Sequence, residues 1–320
     1  MSENTRPQRY TLNAGGQLSA TISAQGAALV KLVWTGKSGS RDLVLDPDST
    51  SYDRTNDAAY VGAVCGRVCG RIANGQYTRA DGSDVQLSLN EGKHHLHGGG
   101  PGALNRLIWY PANPANSHAP SSLTFKAISP TGSEGYPGNL DAEITYTLTN
   151  DSLIAELRAV CDEPCPINLT LHPYFNLATD KSLPISAHHL SVSSKAVYLL
   201  DRALVPSGEL QNISGTDQYF SPSREIGDQS LDTIYSLNGN TPAATLSSPS
   251  GDLVMKVETD RDTLVVYDGS GLPEALRARG GGICLEPQDR PLAARRANTE
   301  QPAGVPWTSR IRYTVEPSAR

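Results

Sequence analysis

Short runs in which apolar and polar residues alternate recur along almost the whole chain, and they constrain the fold more than any other feature. They occupy residues 18–23, 123–128, 142–148, 153–160, 253–259, 263–267 and 310–315. A period of two places the apolar side chains on one face of a β-strand. No long stretch has the 3.6-residue period of a helix, and residues 273–279 predict only one or two helical turns. The pattern therefore predicts an all-β protein.

Turn-forming residues separate these runs. The 29 glycines and 22 prolines are scattered along the chain, and Asn-Gly or Asp-Gly pairs at 74–75, 81–82 and 238–239 predict hairpin turns. No proline-rich linker, charge block or repeat divides the sequence. We expect residues 1–320 to form a single domain, a large antiparallel β-sandwich with long loops, with residues 1–8 as a flexible N-terminal tail. A two-domain all-β arrangement is the alternative.

Composition excludes several classes of protein. The net charge is −6 with no basic stripe, so no nucleic acid partner is expected. No apolar run approaches the ~18 residues of a membrane span, so no membrane partner is expected. The first nine residues lack the apolar segment of a secretory signal. The chain has only five cysteines, which favours reduced thiols. Together these two observations predict a cytoplasmic protein. The charge is compatible with a monomer or a homodimer.

Two segments end in a titratable residue on the polar face of a predicted strand. His172 ends an alternating run over 167–172, and Glu286 ends a similar run over 282–286, where it shares its face with Cys284. A proline follows each residue and is expected to end the strand. Strand ends are rigid positions at which a scaffold can hold functional groups. The alternative is a solvated histidine and a strand-edge carboxylate.

A third segment holds three histidines. Alternation places His95 and His97 on one face, and three glycines follow. His94, His95 and His97 could bind a metal ion, with Glu286 or His172 completing a cupin-like site. The same spacing also arises in proteins without metal.

Other polar candidates are Arg67, Arg71 and Asp232. The two arginines lie four residues apart, and so on one strand face, where a role in surface solubility is the ordinary interpretation. Asp232 has an ordinary interpretation as a turn residue. The sequence contains no nucleotide-binding glycine loop and no Gly-x-Ser-x-Gly nucleophile motif.

Taken together, five segments resemble the aldose 1-epimerase (galactose mutarotase) family, and they occur in the family's order. They are GRVCGRIANG at 66–75, LHGG at 96–99, GYPGNL at 135–140, LHPYFNL at 171–177 and ICLEPQ at 283–288. The resemblance implies the large galactose mutarotase-like β-sandwich, or supersandwich. This agrees with the fold class that the alternating runs predict independently.

The resemblance also implies an activity and a set of site residues. The implied enzyme interconverts the α and β anomers of a free hexose such as galactose or glucose. Glu286 would be the general base and His172 the general acid, while Arg71, His97 and Asp232 would bind the sugar. No metal ion or organic cofactor is implied, and the expected partner is a small-molecule sugar.

Two departures from the family pattern bear on sugar preference. Gly70 stands where the family commonly has Asn, and residues 290–294 lack an Asp that often follows the glutamate motif.

The alternatives to the epimerase function are a non-catalytic carbohydrate-binding sandwich and a relative specialised for a modified or phosphorylated sugar. A phosphate would need clustered cations, for which Arg290, Arg295 and Arg296 are the candidates. A glycosidase would need two carboxylates flanking the scissile bond. An aromatic surface for the sugar is expected, but the tryptophans cannot be assigned to it.

Overall fold

The computed structural model describes residues 7–37, 39–46, 58–112, 120–278, 280–295 and 299–318. These residues form 25 strands. In chain order the first are β1 Arg9–Asn13, β2 Leu18–Ser23, β3 Ala28–Gly36, β4 Gly39–Asp42, β5 Val64–Cys65, β6 Arg71–Ile72, β7 Gln76–Thr78, β8 Asp84–Gln86, β9 His95–Leu96, β10 Tyr110–Pro111, β11 Ser122–Ser129, β12 Leu140–Leu148 and β13 Ser152–Cys161. The others are β14 Thr170–Leu171, β15 Tyr174–Phe175, β16 His189–Val192, β17 Ser194–Leu200, β18 Pro206–Asn212, β19 Arg224–Glu225, β20 Asp232–Leu237, β21 Ala244–Ser247, β22 Leu253–Thr259, β23 Thr263–Tyr267, β24 Ile283–Gln288 and β25 Trp307–Pro317.

Among the described residues, helical structure is confined to single turns. The α-helical turn α1 spans Glu274–Arg277, inside the segment predicted to be helical. Four 3-10 turns span Ala73–Gly75, Ser133–Gly135, Ile185–Ala187 and Leu292–Ala294. In the part of the chain that the structure describes, no helix has the length and apolar character needed to cross a membrane.

Three antiparallel sheets contain most of the strands. The largest has nine strands in the order β10-β11-β12-β13-β25-β22-β21-β16-β19. A six-stranded sheet has the order β15-β24-β23-β20-β17-β18, and β1 to β4 form the third sheet in sequence order. Side chains bridge the sheets: the rings of Phe175 and Tyr313 lie 5.0 Å apart, and those of Tyr10 and Phe125 lie 5.3 Å apart. The predicted antiparallel β-sandwich is confirmed.

The alternating runs predict the central strands closely, whereas the turn motifs are less reliable. The runs at 18–23, 253–259 and 263–267 coincide with β2, β22 and β23. Asp81-Gly82 joins the paired strands β7 and β8 as expected. The hairpins predicted at 74–75 and 238–239 are wrong, because each pair joins strands that belong to different sheets. A local turn motif does not specify which strand the chain pairs with next.

The predicted N-terminal tail is described only in part. Of the predicted N-terminal tail, residues 1–6 lie outside the described residues. The carbonyl of Gln8 accepts a hydrogen bond from the backbone N–H of Ala24, and β1 begins at Arg9.

All five cysteines are buried as thiols, in agreement with the expectation of reduced cysteines.

Arg67 is buried, with 2% of its surface exposed, which contradicts the surface role suggested for it from sequence. Its guanidinium donates hydrogen bonds to the backbone carbonyls of Ser129, Pro130, Pro137 and Gly138, at 2.6 to 3.0 Å, and to the hydroxyl of Ser129. It also lies over the ring of Tyr136, 5.5 Å from the centroid. Arg67 therefore ties the β5–β6 segment to loop 130–138.

Replacing Arg67 by Met is expected to lower the free energy of unfolding by roughly 3–5 kcal/mol, because the converging carbonyls would lose their donor in a buried setting. Urea denaturation measures the change. Arg310→Met is the matched control, since Arg310 is exposed and pairs with Glu156 at 3.6 Å; its loss should cost at most about 1 kcal/mol. Equal effects of the two substitutions would contradict the structural role of Arg67.

Candidate active site

The six-stranded sheet presents one face to the core and the opposite face to a cavity. On β24, Ile283 and Leu285 belong to the main hydrophobic core, and Cys284 and Glu286 lie on the other face. Residues on neighbouring strands are aligned with them across the sheet. One row runs Tyr174, Cys284, Tyr267, Asp232, and the next row runs Glu286, Val265, Ile234. The period of two therefore brings separate sequence segments to one surface.

Glu286 is 1% exposed and contacts two side chains. Its Oε2 accepts a hydrogen bond from Nε2 of Gln288 at 3.2 Å, and its Oε1 lies 3.4 Å from Nε2 of His172. The expectation that Pro287 ends the strand is wrong, because β24 continues to Gln288. β15 pairs only with Ile283 and Cys284, so no ladder hydrogen bond with β15 is lost at Pro287, whose carbonyl accepts a hydrogen bond from the hydroxyl of Thr170 at 2.8 Å.

His172 follows β14 and is 3% exposed. Its backbone is fixed by Ala63 and Gly62, whose carbonyl and N–H bond to it at 3.0 and 2.8 Å. The ring is fixed on both sides, because Nε2 faces Glu286 and Nδ1 lies 3.4 Å from Sγ of Cys284. One strand, β24, thus holds both neighbours of this imidazole.

His97 enters the cavity from the β6–β9 pair. Its backbone has a positive φ of 49°, and its Nδ1 accepts a hydrogen bond from the backbone N–H of Gly70 at 3.3 Å. The neutral ring therefore carries its proton on Nε2. Gly98 must be glycine, because a Cβ there would lie 1.7 Å from the carbonyl oxygen of Gly66. This close approach fixes the position of His97.

Arg71, at the start of β6, lies between two carboxylates. Its Nε and one terminal nitrogen donate to both oxygens of Glu91, at 2.7 and 2.9 Å. Its other terminal nitrogen donates to Oδ2 of Asp232 at 3.2 Å. Burial raises the pKa of Asp232, and the charge of Arg71 acts in the opposite direction. Two of the three sugar-binding candidates, Arg71 and Asp232, thus meet in one ion-pair cluster with Glu91.

These side chains line one cavity of about 740 Å³, within the range typical of small-molecule sites. All five site residues implied by the resemblance line it: Glu286, His172, Arg71, His97 and Asp232. The aromatic surfaces of its wall are tyrosines, namely Tyr60, Tyr174, Tyr198 and Tyr267. The three tryptophans belong to the hydrophobic core instead.

Burial shifts the proton affinities of the catalytic candidates in opposite directions. It raises the pKa of Glu286 well above its usual range, with a further contribution from the charge of Asp232. It lowers the pKa of His172 to about 4. Burial, together with His172 and Arg71, also lowers the pKa of His97. The cavity therefore favours a Glu286–His172 pair that holds one proton and has no net charge.

The three-histidine metal site, which the sequence left open as an alternative, is not formed. His95 contacts the carbonyl of Ser88 and the hydroxyl of Tyr136, both at 2.7 Å, on the side away from the cavity. His94 accepts a hydrogen bond from the backbone of Asn74. Alternation fails here because β9 ends at Leu96 and the positive φ of the next residue turns its side chain away.

A different set has the donor types of a transition-metal site. The ligand atoms of His97, His172 and Glu286 all lie within 4.8 Å of one another. Two histidines and one carboxylate suit either metal binding or metal-free proton transfer.

Several residues of the cavity were missed by the sequence analysis. Gln288 follows Glu286 by two residues, so alternation could have identified it. The tyrosines and Glu91 carry no such signal, because their proximity arises from loops and from strands far apart in sequence. Cys284 was placed on the correct face, but its contact with His172 was not predicted.

Two of the candidate phosphate-binding arginines, Arg290 and Arg295, do not line the cavity. Arg290 pairs with Asp262 at 2.6 Å, and Arg295 lies 3.4 Å from Asp289. Arg296 lies outside the described residues. Neither described arginine supports a phosphate site.

Comparisons with known proteins identify similar chains. A family model described as "Aldose 1-epimerase" matches residues 8–314. The chain is 31% identical over 295 residues to the galactose mutarotase of Bos taurus, covering 87% of this chain and 84% of that protein. It is 33% identical over 290 residues to the aldose 1-epimerase of Escherichia coli K12, covering 85% of this chain and 82% of the relative.

The fold has close counterparts among solved structures. A structure titled as an aldose epimerase homologue from C. elegans superposes with a TM-score of 0.86 at 24% identity, covering 98% of this chain and all of the other. At that identity the likeness establishes the fold. The evidence for membership of a family comes from the family model and from the two curated relatives.

Proposed function

The chain belongs to the aldose 1-epimerase family, a family of isomerases, and we propose that it interconverts the α and β anomers of a free hexose such as galactose or glucose. The observation that carries this proposal is the Glu286–His172 pair, whose facing atoms are 3.4 Å apart in a cavity suited to a small molecule. Polarimetry of a freshly dissolved single anomer tests it.

Ring opening requires two proton transfers. The single proton of the pair, which burial favours on Glu286, first moves to His172 across their 3.4 Å contact. The carboxylate of Glu286 then removes the proton from the C1 hydroxyl, while the imidazolium of His172 protonates the ring oxygen. The bond between C1 and the ring oxygen breaks, and C1 becomes the carbon of an aldehyde. Glu286 is then protonated and His172 neutral, so the pair still holds one proton.

Ring closure reverses the transfers on the other face. After rotation about the C1–C2 bond, His172 takes back the proton of the C5 hydroxyl, whose oxygen attacks C1. Glu286 returns its proton to the aldehyde oxygen, and the opposite anomer results. The pair ends in its starting state, so the reaction consumes nothing and needs no redox step.

The other side chains bind and orient the sugar. His97 presents an uncharged Nε2–H donor, since its Nδ1 is occupied by Gly70. Arg71 and Asp232 supply a donor and an acceptor for sugar hydroxyls, and their ion pair holds both in fixed positions. The tyrosine rings beside His172, with Tyr174 at 5.0 Å and Tyr267 at 6.4 Å between centroids, offer apolar surfaces for the sugar ring.

The rate of anomer exchange above the buffer rate is expected to follow a bell-shaped pH profile. Below about pH 4 His172 would be protonated while Glu286 is also protonated, so the base is lost. Above the raised pKa of Glu286 the pair would hold no proton, so the acid is lost. The alkaline limb should therefore lie well above 4.5, the ordinary glutamate value.

Polarimetry across the pH range, corrected for buffer catalysis, measures this profile. Glu286→Gln should remove the alkaline limb from any residual activity. An activity that rises through pH 4.5 and then stays level would instead indicate an ordinary carboxylate acting alone, and would contradict a shared proton.

A further inference from the structure

The charges of the cavity wall are strongly unequal. Among the lining residues that the structure describes, Arg71 is the cation, whereas four carry carboxyl groups: Glu91, Asp201, Asp232 and Glu286. The histidines are neutral, since burial lowers the pKa of both His97 and His172. A ligand in the cavity therefore meets more carboxyl groups than cationic groups.

The charge of the single guanidinium is already paired with two carboxylates. Three nitrogens of Arg71 donate to Glu91 and Asp232, with the bidentate Glu91 contact at 2.7 and 2.9 Å. Two of its five N–H groups remain for a sugar hydroxyl, but a ligand carboxylate or phosphate approaching Arg71 would also come close to the negative charges of Glu91 and Asp232. Each Glu91 oxygen, in contrast, accepts only one of these bonds and has further acceptor capacity.

The surroundings do not reverse this imbalance. Backbone hydrogen bonds from Val205 and Ala203 lower the pKa of Asp201, with a smaller contribution from the charge of Lys93, so this carboxyl group stays ionised. Asp268 adds negative charge beside Asp232. The Glu286–His172 pair with one proton is neutral. The one positive charge of Arg71 faces the two carboxylates of Glu91 and Asp232. The sugar-binding end of the cavity therefore carries a surplus of negative charge.

We propose that this cluster makes the site charge-selective: it admits uncharged hexoses and hexoses that carry a protonated amine, and it rejects hexoses that carry a carboxylate or a phosphate. The inference rests on the proposed function for the position of the sugar. An anionic ligand pays both desolvation and like-charge repulsion in this cavity, whereas an ammonium group gains acceptors at Glu91. Glu91 is the specificity-determining residue of this proposal.

The test compares D-galactose, D-galactosamine, D-galacturonate and D-galactose 6-phosphate. Binding is measured by calorimetry, and KM and kcat by polarimetry, for wild type and Glu91→Gln. We expect the anionic sugars to bind roughly tenfold or more weakly than galactose. Glu91→Gln should reduce the preference for galactosamine over galacturonate by roughly three- to tenfold, and high salt should also reduce it.

The preference for galactosamine over galacturonate is compared between variants as a ratio. This comparison cancels the intrinsic effect of each substituent on the reactivity of the sugar. Glu156→Gln is the matched control, because Glu156 is exposed on the nine-stranded sheet and should leave the ratio unchanged. A ratio altered equally by both variants would overturn the role of Glu91.

Binding separates this proposal from the proposed function. Selective binding of galactose and galactosamine without accelerated anomer exchange would support charge selectivity and refute the epimerase activity. Galacturonate binding as tightly as galactose, or no binding of galactosamine, would overturn charge selectivity whether or not the enzyme turns galactose over.

Discussion

Glu286→Gln should lower kcat for anomer exchange by about 10²- to 10⁴-fold, the usual contribution of a positioned general base. Gln has nearly the same shape and can keep contacts with Gln288 and His172, so the buried site should stay intact. It cannot accept the proton of the C1 hydroxyl. Polarimetry with α-D-galactose measures the loss, and KM should change much less than kcat.

The exposed Glu156→Gln variant is the control for this substitution, and it should retain the wild-type rate. Thermal unfolding shows whether Glu286→Gln folds normally. A folded Glu286→Gln protein with the wild-type rate would eliminate Glu286 as the base.

His172→Asn is expected to cause a loss of similar size, about 10²- to 10⁴-fold in kcat, because the ring oxygen would lose its proton donor. Asn fills part of the imidazole volume and provides a polar group toward Glu286. The acid limb of the pH profile should change as well, since it reports the titration of His172. Stopped-flow polarimetry over the pH range measures both effects.

His189→Asn is the matched control, because His189 is an exposed histidine on β16 of the distant sheet. Its activity should equal that of the wild type. Should His172→Asn keep its rate and its acid limb, another group must protonate the ring oxygen, and His97 would be the first candidate on the cavity wall.

The fold could be predicted from sequence because burial on one face leaves a direct record in the alternating pattern. The runs at 253–259 and 263–267 match β22 and β23 residue for residue. Sheet order could not be read in this way. The terminal strand β25 lies between β13 and β22 at the centre of the nine-stranded sheet, and such long-range pairing has no local signature.

The position of Glu286, the proposed general base, was predictable for a similar reason. Alternation placed Cys284 and Glu286 together, and the structure puts both on the cavity face of β24. It failed at His95 and His97, because alternation holds only while the backbone stays extended. The φ of 49° at His97 separates the two rings, and no sequence period encodes that turn.

Arg67 and Arg71 show a second limit. Their spacing is the same as that of two residues on one strand face, yet Arg67 is enclosed by backbone carbonyls and Arg71 lies in the cavity between carboxylates. The partners come from residues 129–138 and from Glu91 and Asp232, which are distant in sequence. Whether an arginine is a surface, structural or binding residue is decided by such partners.

The most direct test of the account is polarimetry of freshly dissolved α-D-galactose and α-D-glucose with wild type, Glu286→Gln and His172→Asn side by side. We expect the wild-type protein to accelerate relaxation to the equilibrium rotation in proportion to its concentration, and both variants to lose most of this acceleration. Relaxation at the buffer rate with wild-type protein, for both sugars, would contradict the epimerase assignment of this site.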